Sequence, residues 1–269
     1  MPHGMRILTL DAALGACSAA VVEDGVLGAH AMRAAAQGQA GALAAMAASV
    51  LDRARAAHVE SPTESRTGSP AGAGEPAAAP CAGLDAVAVT VGPGSFTGIR
   101  AALALAHGIA LAAEIPVIGV SVGEALAAAL TVPDGWTLWS AIDSRRGRVF
   151  LECAGGGAPA SSPGATAPEG GVIGAALDAL PPLGPKVALA GDAAVTVAAY
   201  LAARGTEVML TDARRPSPLG IALAAAARRA GRLPPREALP LYVDPPAVKL
   251  PATPPRPPPG PLAAPPAPG

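Results

Sequence analysis

The sequence predicts an α/β protein built as two lobes, and three observations predict it. An apolar strand, Arg6 to Leu10, ends at Asp11 and leads into a hairpin. A second apolar strand, Thr137 to Ile142, ends at Asp143 and leads through Ser144 to Gly147 into Arg148 to Cys153, like a second copy of the opening. Elsewhere, short apolar runs alternate with segments of helical period, which is the pattern of strands joined by helical crossovers.

In the first half, Cys17 to Val22 follows the opening strand, Glu23-Asp24-Gly25 supplies turn residues, and Val26 to Met32 continues the meander. A helix is expected from about Gln39 to Ala57, because Leu43, Met46, Val50 and Ala54 recur at spacings of three and four. Asp85 to Val91 is a buried strand, GPGSFTGIR turns the chain into a helix from about Thr97 to Ala113, Pro116 to Val120 is the next strand, and Ser121 to Leu130 is a helix. In the second half, Lys186 to Ala190 ends at Gly191-Asp192, helices follow at about Ala193 to Ala203 and Leu219 to Ala230, and a strand from Glu207 to Leu210 lies between them. The lobes are drawn as 5–131 and 132–244. Residues 58–82 and 154–171, rich in Ala, Gly, Pro, Ser and Thr, read as flexible insertions without apolar period. Residues 245–269, with 12 prolines in 25 positions, read as a disordered proline-rich tail.

Composition narrows the function. Of 269 residues 51% are hydrophobic but only 2% aromatic, so Ala, Val, Leu and Ile must build the core. A net charge of −1 is not the footprint of an autonomous nucleic-acid binder, so any nucleic acid is expected only indirectly, through a partner. Cys17, Cys81 and Cys153 are odd in number and far apart, against a disulfide framework or structural zinc. The start lacks a signal-peptide pattern, and the apolar run from Ala101 to Ala113 is too short for a bilayer; a cytoplasmic protein with no membrane role is expected.

Four motifs bear on chemistry. Asp11-Ala12-Ala13-Leu14-Gly15 and Asp143-Ser144-Arg145-Arg146-Gly147 share the strand, Asp and hairpin layout with which the acetate kinase, sugar kinase, actin and Hsp70 superfamily grips nucleotide phosphates. They keep the carboxylates and replace much of the small polar pattern, so Asp11 and Asp143 also read as caps for turn amides. Gly92, Pro93, Gly94, Ser95, Phe96, Thr97, Gly98 and Arg100 form a turn into a helix that is either an anion cradle or a tight connection. It is neither a Walker loop nor a nucleophile elbow. His3, His30, His58 and His107 make no metal pair and no Ser/His/Asp arrangement, so neither metal ligands nor catalytic residues are assigned. From Ala34 to Leu51 eighteen residues carry no charge, and with one stripe packed on its own sheet the helix leaves the small-residue face of Ala44, Ala45, Ala47 and Ala48 free to approach another helix closely.

RILTLDAALGACSAAVVEDG, VAVTVGPGSFTGIRAALALAHGIALAAEIPVIGVS, AIDSRRGRVF and LPLYVDPPAVKLP, in that order, resemble the bacterial TsaB (YeaZ) family of tRNA threonylcarbamoyladenosine biosynthesis proteins, within the glycoprotease-like (Gcp/M22) group. The resemblance runs from residue 5 to about 250. It implies the two-lobed actin/Hsp70/sugar kinase-like (ASKHA) fold, each lobe a mixed sheet flanked by helices. It implies a non-catalytic scaffold that binds and activates TsaD, the transferase subunit, and recruits the ATPase TsaE, with a homodimer in the absence of TsaD. The contact it implies lies on the first helix, with Leu43, Met46, Ala47, Val50, Leu51 and Ala54 as interface candidates. Many relatives carry a histidine where this sequence has Gln39. TsaD-like chains place two metal-binding histidines where this sequence has Val122 and Leu126, and apolar side chains cannot ligate a metal. No tightly bound cofactor is expected, any ATP or ADP being placed at a complex interface, and Asp11 and Asp143 become vestigial nucleotide-site carboxylates. The alternative is a stand-alone ASKHA-type small-molecule kinase.

Overall fold

The structure, a computed structural model, describes residues 5–34, 39–60, 81–154 and 171–243. Most of the two expected insertions and the proline-rich tail lie outside the described residues. The chain forms two five-stranded mixed sheets of matching topology. In the first, β1 (Arg6–Asp11), β2 (Ala16–Glu23) and β3 (Val26–Ala34) make an antiparallel meander, and β4 (Ala86–Gly92) and β5 (Val117–Ser121) add in parallel on the other side of β1, giving the order β3-β2-β1-β4-β5. In the second, β6 (Thr137–Asp143), β7 (Arg148–Cys153) and β8 (Val172–Ala176) form the meander, and β9 (Lys186–Ala190) and β10 (Glu207–Leu210) add in parallel, giving β10-β9-β6-β7-β8. The repeated opening is therefore a repeated sheet. Among the strands only β8 was not foreseen: VIGAA is a five-residue edge strand that directly follows the Ala, Gly and Pro-rich stretch read as an insertion.

Alternation along the first sheet sends successive side chains to opposite faces. Leu8, Leu10, Val21, Val87 and Val89 pack with α1 (Gln39–Glu60) and α2 (Phe96–Ala113), through Leu43, Val50, Ile99 and Leu103. Ile7, Val22, Ala86, Ala88, Ile118 and Val120 pack on the opposite face with Ile221, Ala222, Ala224 and Ala225 of α5 (Pro218–Arg229). α5 thus completes the first lobe, and the segment after it stays there: Leu241 N–H donates to the Val91 carbonyl at 2.8 Å. The division at residue 131 is corrected accordingly, since 218–243 belongs with the first sheet. The period of α5 revealed that one face is apolar, not which sheet it covers.

The second sheet packs Trp139, Ala141, Leu151, Val187 and Leu189 against Ala194, Val197 and Leu201 of α4 (Ala194–Ala202). Its opposite face, with Leu138, Ile142 and Phe150, joins Val122 and Leu126 of α3 (Val122–Ala128) in the core shared with the first lobe. Helix α3 is therefore the wedge between lobes, packing on β6 and β7 and also on α5. A capping box starts it: Ser121 Oγ accepts from Glu124 N–H at 2.9 Å and Glu124 Oε2 accepts from Ser121 N–H at 2.7 Å. Helix α2 has 18 residues and, by length and composition, is apolar enough to cross a membrane, which differs from the expectation drawn from 101–113 alone. Its stripe of Ile99, Ala102, Leu103, Ala106 and Ala110 is buried in the first lobe.

Candidate functional site

The glycine-rich loop and the β1–β2 turn interlock. Ser95 caps α2, its Oγ accepting from Gly98 N–H at 3.2 Å, while Ser95 N–H donates to the Ala13 carbonyl at 2.6 Å. A Cβ at Gly94 would strike that Ala13 carbonyl, and one at Gly98 would strike the carbonyl of Ala12. These glycines let the start of α2 lie directly on the turn after β1. Gly94, at φ 156°, sits within the range favouring glycine as well. Phe96 is exposed, and Arg100 stacks on its ring at 3.3 Å while donating to the Tyr242 hydroxyl at 2.5 Å. The Tyr242 contact was invisible in sequence because 142 positions separate the partners.

Asp11 lies at the end of β1 and is only 3% exposed. Its Oδ1 accepts from Thr90 Oγ1 at 2.5 Å and from Ala13 N–H at 3.0 Å. Burial pushes its pKa up from 3.8 to about 6, against the pull of those two donors. Thr90 was missed, although a hydroxyl within the apolar run AVAVTVG was a signal for a buried polar partner. Asp143 stands differently. Its Oδ1 accepts from Arg145 N–H at 2.8 Å, and Arg145 Nη1 lies 3.2 Å from Oδ2. Arg145 Nη2 pairs with Asp192 Oδ2 at 3.0 Å, and Asp192 Oδ1 accepts from Asp143 N–H at 2.9 Å. Burial is the main cause raising the Asp192 pKa, and Arg145 works against it. Asp192, read in sequence only as the end of a strand, is thus the partner that closes this second carboxylate site. Arg145 bridges the carboxylates of Asp143 and Asp192, and Asp11 accepts from its own threonine and turn amide. These residues do not fit a magnesium–nucleotide group. Among the described residues no group of three or more His, Cys, Asp and Glu is placed to hold a metal ion.

The first helix requires a correction in detail. Leu43, Ala47, Val50, Leu51 and Ala54 are all buried in the first lobe's own core, so these five side chains do not form an outward surface. Met46 is half-buried, with Sδ 3.7 Å from Cys17 Sγ. The spacing of three and four that marked them as a face identified the inward stripe. The outward stripe is Gly41, Ala44, Ala45, Ala48 and Ser49, exposed and without charge. Charge returns only at Asp52 and Arg53, where Arg53 Nη2 donates to the His30 carbonyl of edge strand β3 at 2.7 Å.

Val122 and Leu126 are 0% and 2% exposed, one turn apart on α3 and both in the inter-lobe core. Apolar packing holds the position between the lobes.

The family model for TsaD, tRNA N6-adenosine threonylcarbamoyltransferase, matches residues 76–155. The chain is 33% identical over 147 residues to the tRNA threonylcarbamoyladenosine biosynthesis protein TsaB of Escherichia coli, covering 54% of this chain and 53% of that protein. It is 41% identical over 69 residues to TsaB of Haemophilus influenzae, covering 25% of this chain and 29% of that one. The matched stretch thus spans about half the length of the first relative and less than a third of the second. Two solved structures share the fold. One is a Pseudomonas aeruginosa protein with similarity to peptidase YeaZ, with TM-score 0.61 and 24% identity, covering 89% of this chain and 100% of that one. The other is YeaZ of Pseudomonas aeruginosa, with TM-score 0.59 and 22% identity, covering 88% and 99%. Over the matched stretches the chain is similar to TsaB proteins and to the TsaD family model, and the two YeaZ-related structures share its two-sheet fold.

Proposed function

We propose that the chain is a non-catalytic cytoplasmic subunit of tRNA threonylcarbamoyladenosine biosynthesis, a scaffold that binds and activates TsaD and recruits the ATPase TsaE. The observation that carries this reading is the apolar pair Val122 and Leu126, buried on α3 between the lobes where the catalytic relatives are expected to bind metal. A core in place of ligands keeps the architecture of a transferase and removes its Lewis acid. The carboxylates support the same reading, because Asp11 serves its own turn and Asp143 and Asp192 serve Arg145. ATP or ADP then belongs at a junction with a partner, and tRNA is reached through the complex.

The docking face we assign is the outward stripe of α1, Ala44, Ala45, Ala48 and Ser49. Small uncharged side chains let another helix approach closely without burying an unpaired charge. The same stripe would serve a homodimer when TsaD is absent, so the two assemblies would compete.

The test is reconstitution. Matched tRNA transcript, threonine, bicarbonate and ATP are incubated with the adenylate-forming enzyme, TsaD and TsaE, with and without this protein, and threonylcarbamoyladenosine is measured by nucleoside mass spectrometry. Product that depends on adding the chain, with none from the chain alone, is expected. Equal product in its absence overturns the scaffold reading.

A further inference from the structure

Four charged side chains meet at the lobe junction, away from the candidate site. Glu152 comes from β7, Glu124 from the first turn of α3, Arg228 from the end of α5, and Arg236 from the segment that follows it. Each side chain is 13% exposed or less. The carboxylates share the guanidiniums unequally. Arg228 Nη2 lies 2.5 Å and Arg236 Nη2 3.1 Å from Glu124 Oε1, whereas Glu152 Oε1 is 3.6 Å from Arg236. Glu152 Oε1 also accepts from Ser121 Oγ at 2.7 Å, but its Oε2 is buried with no hydrogen-bond partner. That oxygen presses against α3 at Gly123, where a Cβ would collide with it. Ser140 of β6 meets the same spot, its Oγ donating to the Glu152 carbonyl at 3.5 Å.

The four groups are neutral overall only if both carboxylates are ionised. Glu124 holds the closer contact to each guanidinium, so a single bound proton belongs on Glu152. We propose that Glu152 is a proton-operated lock between the lobes: neutral, it lets the second sheet seat tightly on α3, and ionised, it loosens α3 and the segment carrying Arg236. Ser121 of β5, the Gly123 amide and Arg236 favour the carboxylate, Glu124 opposes it, and Arg228 acts through Glu124. The neighbouring Cys153 thiol is held neutral, pushed up by its own burial and by Glu152. The balance raises the Glu152 pKa from 4.5 to about 7, burial first and Glu124 second. The folded-state value lies above the unfolded one, so the stabilisation is complete below 4.5 and is lost as the pH rises through about 7.

The test uses the full chain and its Glu152→Gln variant. Thermal midpoints and hydrogen-exchange protection at 119–128 and 148–153 are followed from about pH 5 to about pH 8.5, spanning the titration. Relative to the variant, the wild type should lose midpoint and junction protection as pH rises, by at most about three-hundredfold in protection, the ratio of proton affinities implied by the pKa rise. Asp11 is common to both proteins and cancels. Parallel pH profiles overturn the proposal. If the glutamine variant fails to fold, Ser121→Ala decides it: removing a donor that favours the carboxylate should move the wild-type transition to higher pH, and an unmoved or lowered transition overturns the lock.

Discussion

Replacing Asp11 by Asn tests whether this carboxylate serves the fold or a ligand. In the folded chain it is 3% exposed, and its pKa rises from 3.8 to about 6 because burial disfavours the charge more than Thr90 and Ala13 favour it. That rise makes the ionised form about 3 kcal/mol less favourable in the folded than in the unfolded state. Asn keeps an oxygen to accept from Thr90 and Ala13 and carries no charge to desolvate. Its amide hydrogens replace Oδ2 and cost about 1–2 kcal/mol where they find no acceptor. Asp11→Asn should therefore be more stable than wild type by about 1–2 kcal/mol near neutral pH. The wild-type contribution is complete below 3.8 and lost as pH rises through about 6, so the advantage should appear across that interval and level off above it. Urea denaturation followed by circular dichroism at a series of pH values measures this directly. A variant less stable than wild type at neutral pH would refute the reasoning. So would magnesium–ATP stabilisation of the wild type that the variant loses, since the carboxylate would then be holding a ligand.

Ala48→Asp on the outward face of α1 should change stability by less than about 1 kcal/mol and weaken TsaD binding by at least about thirtyfold, read by calorimetric titration. Met46→Asp would damage the core beside Cys17 as well and is the wrong variant for that question. Leu126→Ala should lower stability by about 2–5 kcal/mol, seen by scanning calorimetry as a midpoint drop of at least about 4 °C; a loss below about 1 kcal/mol would mean that α3 does not cement the lobes. Gly98→Ala should cost about 2 kcal/mol or more because its Cβ meets the Ala12 carbonyl, whereas Gly108→Ala, with nothing within 4 Å, should stabilise by about 0.5–1 kcal/mol. The pair, measured by denaturant titration, separates a glycine required by close approach from one that is not.

Most of the architecture could be read from the chain because strand and helix periods are local. Asp11 and Asp143 ended apolar strands visibly, and the two hairpins showed the internal repeat. Period alone could not say which partner each apolar stripe meets. On α1 the resemblance assigned Leu43, Ala47 and Val50 to the partner contact when they face inward, whereas the uncharged small-residue run marked Ala44, Ala45 and Ala48, which are exposed. On α5 it found the stripe and missed the sheet. The lobe-junction charges were out of reach for another reason: Glu124 and Arg228 are 104 positions apart, and no local rule pairs them. Asp192 and Thr90 were single polar residues at the end of, or within, apolar runs, signals that become meaningful only once a partner is adjacent.

The return of α5 to the first sheet has a consequence for synthesis. A growing chain emerges from its N-terminus, and domains ordinarily fold as they are completed. Here β1 to β5 are finished by Ser121, yet Ile7, Val22, Ala88, Ile118 and Val120 stay uncovered until Ile221 to Ala225 have been made. The second sheet, β6 to β10 with α4, is encoded within that interval. The lobe encoded second is the one that can close first, and the lobe encoded first must wait for α5 with one apolar face open to chaperones or to other chains.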